Sequence, residues 1–186
     1  MQAKPVGGFS LIEVLVAILV LAIGVLGTAG AQLAALQTRH ETALMSTGVQ
    51  LAGSLADRMR ANAGPAAGGA AIDTYLQLDY DALTAGPPAL PGALCFAGND
   101  CNSTEMAAFD LYEITQAVHA GFPGGRVTVC HDASVVAQGG KTLAWQCAGG
   151  VSAPIVIKLG WRTRGADAGD GAQFAPSVAI VARAAS

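Results

Sequence analysis

The rhythm of hydrophobic and polar positions changes three times along the chain. From residue 9 to residue 30 the side chains are almost continuously apolar, and the one ionisable group is Glu13. At a rise of ~1.5 Å per residue, such a run reaches the ~30 Å of a bilayer core. A helix is the form expected there, because lipid cannot satisfy open backbone groups. Beyond Gly30 the apolar positions fall into steps of three and four: Leu33, Leu36, His40, Leu44, Gly48, Leu51, Leu55 and Met59. That is one face of an amphipathic helix, with Gln32, Gln37, Arg39, Glu41, Gln50 and Arg58 on the opposite side. The pattern predicts one helix continuing to about Asn62, where Gly64-Pro65 ends it. Gly24, Gly27 and Gly30 suit close helix packing through small residues.

From residue 62 to 94 the periodicity dissolves into Gly, Ala and Pro. Segments 63–71 and 85–92 read as loops, and 75–83 between them as a short strand or turn. Asn102-Ser103-Thr104-Glu105 then opens a second helix, with Asn102 as N-cap and Glu105 completing a capping box. Met106, Phe109, Tyr112, Ile114 and Val118 are its apolar residues, and Gly121 and Pro123 close it. Asn102-Ser103-Thr104 also spells a glycosylation sequon, but capping is the reading preferred. The last third is strand-like at 126–130, 143–147, 155–162 and 177–183. Consecutive strands with short connections predict an antiparallel sheet, and the amphipathic half of the first helix is the available cover for its apolar face. The expected fold class is therefore α+β: a long N-terminal helix packed on a C-terminal antiparallel β-sheet.

A carboxylate in a membrane helix is costly, so it is usually there for a partner or a path. The residues around it carry a resemblance. Gly8-Phe9-Ser10-Leu11-Ile12-Glu13, behind a short leader containing Lys4, resembles the processing site of type IV pilins and type II secretion pseudopilins. The resemblance implies that a prepilin peptidase cuts after Gly8, that the new N-terminal Phe9 is N-methylated, and that Glu13 meets the charged N-terminus of a neighbouring subunit during assembly. The physics agrees with that arrangement. Cleavage would leave an ammonium on Phe9 and a carboxylate on Glu13, which can pair across staggered helices where water is scarce. An unpaired carboxylate there would be penalised or protonated, so the pair favours register and partner choice.

A second stretch, Leu55-Ala56-Asp57-Arg58-Met59-Arg60-Ala61-Asn62, resembles the helix end of the PilV family of type IV pilus modification proteins, which are minor pilins. Residues 101–110 and Phe122-Pro123-Gly124-Gly125 resemble the middle of that family. The resemblance implies a structural subunit without catalysis that takes part in pilus assembly, in a priming or tip complex. Its partners would be the prepilin peptidase, other minor pilins and the major pilin, the inner-membrane assembly platform and a tip adhesin. It divides the chain into a cleaved leader (1–8), a transmembrane and assembly helix (9–30), the amphipathic half of the same helix (31–62) and a periplasmic globular domain (63–186). A type II secretion pseudopilin is the neighbouring alternative. An alternative of another class is a membrane-anchored periplasmic enzyme or binding module, which requires a deep polar pocket with converging acids or histidines.

Charge and cysteine content sharpen this picture. Lys4 and the amino terminus precede the apolar run, and the first charge after it is Arg39. That bias favours a single-pass inner-membrane protein with a cytoplasmic N-terminus and a periplasmic C-terminal domain. The net charge of −3 and the lack of a basic run argue against nucleic-acid binding. Four cysteines suit an oxidising compartment. Three pairings are possible, and Cys95–Cys101 with Cys130–Cys147 is favoured because each closes a local loop. A zinc site is disfavoured by the absence of Cys-x-x-Cys and of paired histidines.

Other chemistry reads as structure. Gly139-Gly140-Lys141-Thr142 lacks the earlier glycine of a phosphate loop and reads as a hairpin turn. His40, His119 and His131 are isolated, Asp110 and Glu113 read as a solvated helix face, and Asp167 and Asp170 as a polar turn rather than a calcium site. Trp145 and Trp161 read as core or sheet-face anchors. No cofactor is implied, and no catalytic motif is present.

Overall fold

The computed structural model describes residues 8, 10–62, 68–96, 98, 100–137, 139–162 and 174–184. Helix α1 runs Leu11–Asn62, α2 Gly68–Tyr75 and α3 Ser103–Gly121; the strands are β1 Asp79–Asp81, β2 Arg126–His131, β3 Ile155–Gly160 and β4 Val178–Arg183. Contacts divide the chain into two units, Met1–Thr42 and Ala43–Ser186. In the first, the described part of α1 exposes its apolar side chains, with Leu11 at 79% and Leu26 at 73%.

The second unit is the α+β body. Its four strands lie in the order β1-β2-β3-β4, every neighbour antiparallel. The core joins Leu55 and Met59 of α1, Tyr75 of α2, Ile114 and Val118 of α3, and Val127, Val129, Ile157 and Leu159 of the sheet. On α1 the buried face is Gly48, Ala52, Leu55, Ala56 and Met59. The three-and-four rhythm therefore carries a buried face only from Gly48 onward; Leu33 and Leu36 are each 60% exposed, and His40 is exposed. Gly48, Ala52 and Ala56 recur every fourth residue, and small side chains there let α1 approach the sheet. A Cβ on Gly48 would lie 2.8 Å from Cζ3 of Trp161, which is itself only 4% exposed.

Two elements differ from expectation. Part of the loop expected at 63–71 is helical, because α2 begins at Gly68; residues 63–67 lie outside the described residues. Ala71 and Tyr75, one turn apart, are both fully buried, and that packing outweighs the poor helix propensity of the glycines. The expected strand at 143–147 is reduced to one bridge, Val136 to Leu143. Its carbonyls are used elsewhere: Lys158 Nζ donates to Ala144 O and Gln146 O, both at 2.8 Å. The turn that precedes it is a tight one, with Gly139 and Gly140 at φ +101° and +73°, where glycine alone is unstrained.

β3 is buried along its whole length. One of its faces meets the core, and the segment after β2 crosses the other. Both edges of the sheet are blunt. β1 is three residues long. At β4, Arg60 donates from Nε to Ala182 O at 3.0 Å and from Nη2 to Val181 O at 3.4 Å.

Candidate functional site

Gly8, Ser10 and Glu13 stand at the head of α1, and all three are exposed. The helix opens with the amides of Glu13 and Val14 donating to Ser10 O, at 3.0 and 3.3 Å. Glu13 therefore sits in the first turn, where the helix dipole favours a negative charge. It forms no ion pair with any described residue. Behind it, Leu15, Ile18, Leu19, Leu21, Ile23, Val25 and Leu26 keep their large apolar side chains half or more exposed. The helix is long and apolar enough to cross a membrane. Lys4 and Phe9, expected respectively in the leader and at the methylated position, lie outside the described residues.

The far end of α1 is a polar hub. Arg58 Nη1 donates to Asp110 Oδ1 at 2.9 Å and to Glu113 Oε2. Tyr75 donates to Asp110 Oδ2 at 2.5 Å, and Asn62 Nδ2 donates to Tyr75 Oη at 3.3 Å and to Ser103 O at 2.7 Å. Three helices are thus joined through one carboxylate. Asp110 is 4% exposed, so the expectation of a solvated face is corrected: the acid is turned inward by Arg58 and Tyr75. The hydrogen bond to Glu113, with Asp110 adding its own, raises the Arg58 pKa despite burial. Burial and the bond to Asp110 push the Tyr75 hydroxyl well above the usual phenol range. Arg58, Arg60 and Asn62 all belong to the stretch 55–62 singled out in the sequence, and each has a docking role in the fold.

A second charged pair was not anticipated. Asp132 and Lys158 have fully buried side chains, with Nζ 2.7 Å from Oδ2. Asp132 Oδ1 accepts from the amides of Ser134 and Ala148, both at 3.0 Å. Oδ2 has only the ammonium, met as a charge contact rather than in hydrogen-bond geometry. Burial by itself raises the Asp132 pKa, but Lys158 and the two amides outweigh it and hold it below the ordinary carboxylate value. The one signal in the sequence is Lys158 itself, a charge inside Ile155-Val156-Ile157-Lys158-Leu159. The pair lies beside the Cys130–Cys147 disulfide, and a second disulfide joins Cys95 to Cys101.

Nothing else assembles a reaction centre among the described residues. No group of three or more His, Cys, Asp or Glu could hold a metal. His119 Nδ1 lies 2.8 Å from Tyr80 Oη, which donates to Gly86 O, and His131 Nδ1 lies 2.8 Å from Ala153 O. Burial, and then the charge of Asp81, raise the Tyr80 pKa. Asp167 and Asp170 lie outside the described residues.

Two family models match the chain. The family described as type IV pilin Tt1218 matches residues 30–112, and the prokaryotic N-terminal methylation motif matches residues 4–29. No curated protein and no solved structure matches significantly. The type IV pilin family is structural rather than enzymatic, and the long helix with its four-stranded sheet is consistent with the pilin fold. Together the two matches support a pilin-type structural subunit, and the methylation motif on an apolar helix points to single-pass membrane anchoring.

Proposed function

We propose that the chain is a minor pilin of a type IV pilus, of the PilV kind, which takes part in assembly priming or a tip complex. In this reading the leader 1–8 is cleaved after Gly8, Phe9 is N-methylated, residues 9–30 form the assembly and membrane helix, and 63–186 lie in the periplasm. The observation that carries it is Glu13: one exposed carboxylate, without a partner in its own chain among the described residues, in the first turn of an apolar helix headed by a methylation motif. Such a group lowers its energy by meeting a cation supplied by another subunit, and the processed N-terminus is that cation. Two disulfides suit the compartment assigned to the globular part.

The test is a pair of substitutions. Glu13→Val makes the span more apolar, so insertion and cleavage persist while incorporation into sheared pili falls. Gly8→Glu does the reverse: the leader stays attached and the protein remains in the inner membrane. Wild-type assembly of the Glu13→Val chain, or an N-terminus still at Met1 in the wild-type protein, overturns the proposal. A clean deletion that abolishes exoprotein secretion while leaving pili intact replaces it with a type II secretion pseudopilin.

A further inference from the structure

Where β1 and β3 end and β2 begins, two guanidinium groups are held beside a small pocket. Arg126, the first residue of β2, pairs across the sheet with Asp81 and Gly160. Its Cζ lies 4.7 Å above the ring of Trp145. Arg162, two residues past β3, has its Cζ 5.8 Å from the ring of Phe174. The two rings meet edge to face at 5.7 Å, and the Trp145 indole N–H donates to Phe174 O. A guanidinium stacked on an aromatic ring keeps its plane, and its in-plane N–H groups remain available as donors.

The pocket is built rather than incidental. Gly160 leaves room for Trp145, since a Cβ there would lie 3.0 Å from Cζ2 of the indole. Gly124, at φ +55°, seats the Arg162 stem, with a Cβ position 3.3 Å from Cδ. The cavity holds about 170 Å³ between Leu83, Thr84, Trp145, Phe174 and the two arginines. Ligand pockets for cofactors and drug-sized molecules run to about 300–1,000 Å³, so this one has the size of a single side-chain head group.

Its hydrogen-bond donors are incompletely matched. Arg162 Nε is buried without an acceptor among the described residues. Arg126 donates from Nε and Nη2 to Asp79, at 3.2–3.4 Å, but that carboxylate is 62% exposed, and water screens a pair with so open a partner. Asp81 also lines the cavity as a charged group, its Oδ1 accepting from the amide of Leu83 at 2.9 Å. Arg162, with its orphaned N–H, beside an Arg126 fork held only by an exposed carboxylate, fits a further carboxylate, which can accept in bidentate fashion. We propose that this pocket captures an aspartate or glutamate side chain of a neighbouring subunit; the source of the carboxylate, though not its chemistry, rests on the pilin reading.

The test uses the full chain in detergent micelles and the NMR resonances of the arginine Nε–H groups and the Trp145 indole. The probes are N-acetyl-glutamate N-methylamide, its glutamine analogue and inorganic phosphate. The glutamate probe should give saturable shifts at about millimolar concentration, and the glutamine analogue should bind at least about tenfold more weakly. Arg162→Gln should abolish the response, and Arg162→Lys should weaken it about tenfold through loss of the fork. No saturable shift, an equal response to the glutamine analogue, or tighter binding of phosphate would overturn the assignment; the comparison of probes on the wild-type chain needs no variant to fold. In cells, Arg162→Gln should lower incorporation into pili while cleavage after Gly8 persists. Normal incorporation of a variant that has lost glutamate binding would show that the pocket takes a free small carboxylate and refute the subunit contact. If the wild-type chain itself never enters pili, the pilin reading fails and the NMR result still stands.

Discussion

Replacing Lys158 by Met would test how the back of the sheet is held. The ammonium has three contacts: Asp132 Oδ2 at 2.7 Å, and the carbonyls of Ala144 and Gln146 at 2.8 Å. Methionine has nearly the same volume, so the loss is electrostatic rather than steric. It strands a fully buried carboxylate whose other oxygen is held by two amides and cannot turn away. Removing one partner of such a pair costs about 3–5 kcal/mol, against a total stability of about 5–15 kcal/mol. At roughly 3–5 °C per kcal/mol for a unit of this size, the melting temperature should fall by about 10–20 °C. Thermal unfolding followed by near-ultraviolet circular dichroism, on oxidised protein, measures it. Asp132→Asn in the Lys158→Met background should recover much of the loss, since no charge then remains. The pH dependence gives an independent sign. Because the folded pKa of Asp132 lies below the ordinary value of about 3.9, its contribution is present above that value and is lost as pH falls through the folded pKa. Wild type should therefore lose more stability than Asp132→Asn in that acid window. A Lys158→Met cost below about 1 kcal/mol, or strictly additive single and double variants, would refute the reasoning.

Gly48→Ala should destabilise by about 1–2 kcal/mol, because overpacking against Trp161 outweighs the gain in helix propensity. Gly53→Ala on the same helix, where a Cβ meets nothing within 4 Å, should stabilise instead; equal urea midpoints for the two would refute the close approach. Asn102→Ala should cost about 1 kcal/mol and speed amide exchange at Thr104 and Glu105, whose N–H groups Asn102 accepts, while Asn102→Asp should be nearly neutral. Non-reduced peptide mapping should recover Cys95 linked to Cys101 and Cys130 to Cys147. Replacing both Cys130 and Cys147 by Ala should cost on the order of 3 kcal/mol, whereas crossed linkages or free thiols would disprove the pairing.

What could be read from the sequence was what local rules control. The 52-residue helix announced itself through an apolar run followed by a three-and-four rhythm, and α3 through a capping box that the structure contains in full. β3 was legible because a strand buried on both faces is apolar at nearly every position, with Lys158 the exception. The motif from Gly8 to Glu13 was legible because its meaning lies in a short spacing. What stayed hidden depends on residues brought together by the fold. Alanine at 52 and 56 carries no strong signal, yet it sets where α1 touches the sheet. α2 is helical against its glycines because Tyr75 reaches Asp110, and no local window contains both. Asp132 lies inside the loop closed by Cys130–Cys147 and Lys158 beyond it, and Arg126, Trp145 and Arg162 meet only where strands end.

The blunted sheet has a consequence for how copies of this molecule can meet. An open strand edge is a template that accepts any extended chain and passes the template on. Here one edge is three residues with an aspartate at each end, and the other has two successive carbonyls already taken by Arg60. Growth by adding strands is closed at both sides, while the α1 surface from Leu11 to Leu26 stays open. Crowded copies are therefore steered away from strand pairing and toward contact of helix against helix. Arg60→Ala would reopen the wrong one: its cost would be seen less in the folding of a single chain than in a solution that turns slowly to fibrils.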